Sequence, residues 1–201
     1  MNTRRADISL AHATALRFSW PGQAPLFNTL SFALPPGVSW LGGDEGAGKT
    51  TLLRLLAGEL SPQAGTLQVH GTVFWINPRA DGCDALTPSQ CFERLAQQHP
   101  ALDRALLADL AAELDLEQRL AKRLDMLSTG SRRKVWLAAA FAAGATLTLL
   151  DQPFAALDKP SARFITALLQ EAATHPRRGW VVADYEAPTG VPLASAWTLG
   201  A

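Results

Sequence analysis

Eight consecutive residues, Gly43-Asp44-Glu45-Gly46-Ala47-Gly48-Lys49-Thr50, have the spacing G-x-x-x-x-G-K-[ST] of a phosphate-binding loop. The chemistry open to such a loop is capture of a nucleoside triphosphate. Its glycines let the backbone fold so tightly that successive N–H groups point inward, and a helix beginning at its end adds positive potential where phosphate oxygens would sit. Lys49 then reaches the terminal phosphates as a point charge, and the Thr50 hydroxyl is placed to ligate Mg²⁺.

The motif works only between a strand and a helix, and both flanks fit. Residues 37–41 are apolar and partly β-branched, which predicts a strand, and residues 51–58 predict a helix with Leu52, Leu53, Leu55, Leu56 and Leu60 on its apolar face. A second apolar run, 146–150, ends in Asp151, where phosphate-loop enzymes keep a Mg²⁺-associated aspartate. Leu127-Ser128-Thr129-Gly130-Ser131 opens another helix. Taken alone, Ser128 is its N-cap, and the helix start is a second anion-friendly position. Trp20, just ahead of the Pro21-Gly22 turn, is either a base-stacking aromatic or a core residue.

The rest of the chain supplies the frame. Residues 16–20 and 30–34 predict antiparallel strands, and 66–71 and 72–76 two more. Residues 77–87 are loop-like; a helical stretch runs from Ser89 to about Lys122, broken at His99-Pro100, with Leu102, Leu106, Leu107, Leu110 and Leu114 at packing positions. A helix from Asp158 to about Thr174 and a strand 179–183 before Asp184 follow. Alternation of strands and helices around one phosphate loop predicts an α/β sheet with ligands at the carboxyl ends of its strands.

With 201 residues the chain suits one domain and leaves no room for two such units. Eighteen basic side chains balance eighteen acidic ones, so electrostatics favour neither nucleic acid nor an anionic surface, and the basic run Arg132-Arg133-Lys134 is short. Cys83 and Cys91 are expected to be reduced thiols. No signal-peptide pattern follows Met1, and the uncharged run 135–150 is shorter than the roughly 18–20 residues a bilayer needs, so it predicts a buried helix followed by a buried strand. A cytoplasmic location is therefore expected.

The loop 43–50, Leu127-Ser128-Thr129-Gly130-Ser131, the strand end Leu149-Leu150-Asp151-Gln152-Pro153 and Ala156-Leu157-Asp158 occur in one fixed order. Together they resemble the phosphate loop, LSGGQ signature, strand-end aspartate and D-loop of the ATP-binding cassette (ABC) ATPase family. The resemblance runs from Trp20 to the final strand near Trp197. It implies a P-loop NTPase core sheet (about residues 1–77 and 127–201), a small antiparallel β subdomain and an inserted α-helical subdomain (about 78–126). It also implies ATP and Mg²⁺ as cofactors. Trp20 would lie against adenine, residues 43–51 including Thr51 would wrap the phosphates, and Thr50 and Asp151 would hold the metal. Two domains would close head to tail, with Ser128, Thr129, Gly130 and Ser131 on the opposite subunit's ATP and Asp158 at the interface. The partner implied is a separately encoded transmembrane permease subunit on the membrane's cytoplasmic face, and the ATPase pair is homo- or heterodimeric.

Departures from the family's pattern bear on turnover. Family members carry Glu where Gln152 stands, Gln where Asn77 aligns and His where Asp184 aligns, and the signature is altered at Thr129 and Ser131. Gln152 can orient a water but cannot accept its proton, and general-base assistance is worth roughly 10²–10⁴ in rate, so hydrolysis should be slow. The primary expectation is the ATP-binding subunit of an ABC transporter, with compact exporter-type subunits such as those of cytochrome c maturation as a weaker likeness. The alternatives are a non-catalytic nucleotide-sensing subunit paired with an active ATPase, and a cassette protein acting on nucleic acid, which the neutral charge disfavours.

Overall fold

The computed structural model describes residues 9–76 and 83–200. In chain order its first half comprises β1 (Ala11–Phe18), β2 (Phe27–Leu34), β3 (Gly37–Gly42), α1 (Lys49–Leu56), β4 (Ala64–Val69) and β5 (Val73–Trp75). The second half comprises α2 (Pro88–Gln98), α3 (Arg104–Glu113), α4 (Thr129–Ala142), β6 (Leu147–Asp151), α5 (Lys159–Ala172), β7 (Gly179–Ala183) and β8 (Ser195–Thr198).

Two sheets result. A three-stranded antiparallel sheet has the order β2-β1-β4, and a five-stranded parallel sheet has the order β5-β6-β7-β3-β8. The apolar, non-alternating runs of β3, β6 and β7 suit parallel strands covered on both faces. Leu41, Leu147, Leu149, Val181 and Ala183 pack toward α1 and the antiparallel sheet, whereas Val38, Leu150, Trp180 and Val182 pack toward α2–α5. β3 lies between β7 and β8, so the loop after it emerges at the carboxyl edge with strand ends on either side.

The apolar run 135–150 divides as expected into the buried half of α4 and strand β6. Gly144 makes the division possible: it sits at φ +67°, and a Cβ there would stand 2.2 Å from the Ala101 carbonyl oxygen. Among the described residues no helix is long and apolar enough to cross a membrane.

Two expectations need correction. The helical stretch does not reach Lys122, because α3 ends at Glu113, where Asp115 turns to φ +58° and Leu116 N–H closes on Ala111 O at 2.9 Å. That closure satisfies the Ala111 carbonyl, Asp115 N–H takes the Ala112 carbonyl at 2.9 Å, and two short 3₁₀ turns, Glu117–Arg119 and Leu124–Met126, carry the chain onward. Leu116 and Leu124 are buried by those turns rather than by a helix face. Leu106 is the second correction: it is 39% exposed, while Leu107, Leu110 and Leu114 face the core.

Candidate functional site

Residues 43–48 leave β3 through three left-handed glycines, Gly43 (φ +138°), Gly46 (φ +80°) and Gly48 (φ +99°). Such alternation turns backbone amides toward one concavity, a geometry that binds anions. Gly48 is the N-cap of α1, so no side chain caps the helix, and its first turn holds no acidic residue. The helix start is thus free of side-chain competitors for its orphan N–H groups. Asp44, Glu45 and Gly46 are exposed, whereas Ala47 is half-buried and Thr51 buried.

Lys49 is only 6% exposed. Its ammonium donates to the Gly43 carbonyl at 2.5 Å and to the Asp44 carbonyl at 3.0 Å, and lies 4.3 Å from the centroid of the Tyr185 ring. The side chain therefore spans the mouth of its own loop. Thr50 Oγ1 donates to Asp151 Oδ2 at 2.7 Å, joining the phosphate-loop motif to the end of β6 across 101 positions of sequence. A hydroxyl and a carboxylate oxygen side by side are hard donors of the kind Mg²⁺ takes. The oxygen pair and the uncapped helix start both fit a Mg-nucleotide.

Two further side chains flank this edge. Gln152 follows Asp151 in the left-handed region, φ +47°, with its N–H on the Ala183 carbonyl at 2.8 Å. Asp184 follows β7; its Oδ1 accepts the Tyr185 N–H at 2.8 Å, and its own N–H donates to Leu41 O at 3.1 Å. Burial raises the Asp184 carboxyl above its ordinary range; the Tyr185 N–H opposes this, Asp151 adds to it, and Lys49 and Arg133 oppose it. Asp184 is thus close enough to Asp151 and to both cations to sense each.

At the start of α4, Ser128 is the N-cap, accepting from Ser131 N at 3.2 Å and donating to Ser131 Oγ at 3.0 Å. Ser128 and Thr129 are exposed, Gly130 and Ser131 half-buried. Asp158 caps α5 by accepting from Ser161 N at 2.8 Å and pairs with Lys134 Nζ at 2.7 Å; those contacts, Lys134's hydrogen bond first, hold its carboxyl well below the usual range. Trp20 lies 5.3 Å edge-on from Phe18, with the Arg54 guanidinium 5.6 Å from its ring centroid. Asn77 lies outside the described residues.

Three residues of this region escape a reading by motif: Tyr185 over Lys49, and Arg133 and Lys134 on α4. The basic run at 132–134 held the signal, because Arg133 and Lys134 stand three and four residues beyond Gly130, on the same side of the helix.

The family model described as "ABC transporter" matches residues 27–155. The cytochrome c biogenesis ATP-binding export protein CcmA of Escherichia coli (strain K12) is 34% identical over 171 residues, covering 78% of this chain and 79% of that protein. Its counterpart in Pseudomonas fluorescens (strain Pf0-1) is 32% identical over 170 residues, with 78% and 79% covered. Among solved structures, an ATP binding subunit of an ABC transporter aligns with TM-score 0.78 at 22% identity, covering 88% of this chain and 80% of that one. An ABC transporter ATP-binding protein from Pyrococcus furiosus aligns with TM-score 0.76 at 19% identity, covering 94% and 96%. These two structural likenesses show the fold.

Proposed function

The chain belongs to the ABC transporter family as one of its ATP-binding subunits, and we propose that it serves an export system of cytochrome c biogenesis by binding Mg-ATP in the loop 43–50. The observation that carries this reading is the Thr50–Asp151 contact at 2.7 Å, since it joins two motifs at one sheet edge in front of an uncapped helix start. In this reading the loop amides and Lys49 hold the β- and γ-phosphates, exchanging the Gly43 and Asp44 carbonyls for phosphate oxygens, and Trp20 packs on the base. Thr50 and Asp151 would hold Mg²⁺, which when bound offsets the charge on the terminal phosphates.

A second copy, or a related ATPase, docks head to tail and presents Ser128 and Gly130, with Thr129 and Ser131 beside them, to the γ-phosphate; Asp158 lies at the same interface. ATP completes a surface that neither copy makes alone, so binding energy becomes closure. The core about 1–77 and 127–201 and the helical part about 78–126 act as two subdomains, and the latter meets a separately encoded permease subunit at the cytoplasmic face of the membrane.

Gln152 orients the attacking water without taking its proton, which makes turnover slow. The pairing of Gln152 with Asp184 also favours a second reading, a nucleotide-sensing subunit that leaves hydrolysis to a partner. Steady-state ATPase of the wild type beside Gln152→Glu separates the two. A gain of about 10²-fold or more on restoring the carboxylate supports a working but handicapped site. No turnover in either protein, with Mg-ATP still bound, supports the sensing subunit; appreciable wild-type turnover that Lys49→Ala leaves intact refutes both.

A further inference from the structure

Arg133 stands just over one turn into α4, and its Nη1 donates both to the Asp151 carbonyl, at 3.1 Å, and to the Gln152 carbonyl. The second acceptor matters because Gln152 occupies the left-handed region at φ +47°, which a residue with a side chain adopts only when its surroundings hold it there. Its N–H is fixed on Ala183 O at 2.8 Å, and its carbonyl also accepts from Ala155 N at 3.2 Å. Of these three restraints only the one from Arg133 carries a charge, and charge-assisted bonds are the stronger kind.

Arg133 is an unfavourable residue to place here by packing alone. Its Nε is buried with no partner among the described residues, and burial pulls the guanidinium's pKa down while Asp151 and Asp184 pull it back up. Asp184 in turn feels Arg133 and Lys49 as attraction and Asp151 as repulsion. A desolvated cation with an orphaned N–H is retained where it holds something specific.

We propose that Arg133 is a positioning residue of the nucleotide site: it locks the Gln152 peptide in its left-handed turn at the end of β6. The catalytic half of this inference rests on the reading of Gln152 as the water-orienting residue. Because Arg133 and Ser128 share α4, a movement of that helix moves the Gln152 carbonyl with it. The helix that would touch one nucleotide thereby sets the geometry of the residue serving the other.

The test uses the full chain as wild type, Arg133→Met and Arg133→Lys. Methionine keeps the aliphatic stem without charge or donors; lysine keeps the charge but loses the planar fork. Without nucleotide, hydrogen exchange at the amides of Gln152 and Ala155 should quicken about tenfold in Arg133→Met, with β3 and α1 unchanged and lysine intermediate. Single-turnover hydrolysis of Mg-ATP should fall about tenfold while the Kd of a fluorescent ATP analogue stays within about twofold, and Arg133→Met should erase most of the gain given by Gln152→Glu. Unchanged exchange at Gln152 and Ala155, or faster exchange spread evenly over the chain, overturns the lock. Rate and affinity falling together overturn the positioning role. If exchange responds but neither wild type nor Gln152→Glu hydrolyses ATP, the lock stands and the catalytic reading of Gln152 is what fails.

Discussion

The Cα of Gly130 on α4 lies so near the carbonyl oxygen of Ala156 that a Cβ at residue 130 would stand 2.4 Å from it. Ala156 is itself left-handed, at φ +60°, and one turn further along α4 the Lys134 ammonium meets Asp158 at 2.7 Å. The start of α4 and the loop 152–158 are thus in contact at three places, through Gly130, Arg133 and Lys134. Any account of nucleotide-driven closure has to move them as one body.

Gly130→Ala tests that contact. Neither backbone has a flexible side chain with which to yield, so the variant should lose about 1–3 kcal/mol, the usual range for forced overpacking. Urea unfolding measures it. Mg-ATP affinity of the isolated chain should not change, since the loop 43–50 lies elsewhere.

Ser128 separates a structural role from a functional one. Ser128→Ala removes the N-cap of α4 and should lower stability by about 1 kcal/mol. Ser128→Asp caps as well as serine and suits the helix dipole, so thermal unfolding should stay near wild type. The aspartate would nevertheless set a carboxylate against the phosphates of the opposite subunit, so ATP-dependent association, followed by sedimentation, should be lost in Ser128→Asp and only weakened in Ser128→Ala, which loses one contact without adding a charge.

How much of this could be read from the chain follows from what each residue signals locally. Gly43–Thr50 declares itself because the strand before it, the glycines and the leucines after it all agree. Ser128 is legible as a cap because hydroxyl and glycine at a helix start have few other uses. The end of α3 is not legible, since Leu114, Leu116 and Leu120 continue an apolar pattern and only the left-handed turn at Asp115 breaks it. Leu106 fails for a similar reason: three leucines lie within one short helix, and their order along it does not say which faces water. Tyr185 and Arg133 act across strand ends remote in sequence, on Lys49 and on the carbonyls of Asp151 and Gln152, so no window of sequence contains both partners.

Asp184 gives the pH dependence. Its carboxyl is raised in the folded chain, chiefly by burial, so the folded state holds that proton more readily than the unfolded state does. The stability from this group is complete below the unfolded value of about 3.9 and is lost as pH climbs through the raised folded value. Asp184→Asn should therefore match the wild type in mild acid and become the more stable of the two toward neutral pH. Urea midpoints across that range measure the divergence, and an aspartate that stabilises increasingly with pH would contradict it.

Titration of the 201-residue chain with Mg-ATP, wild type beside Lys49→Ala, bears most directly on the central claim that the loop 43–50 is a triphosphate cradle closed by Lys49. The account predicts saturable binding by the wild type, one nucleotide per chain. Binding should be weaker by about tenfold to a hundredfold without the ammonium, the worth of a charge-assisted hydrogen bond. Equal affinity in the two proteins, or no binding by the wild type, would contradict it.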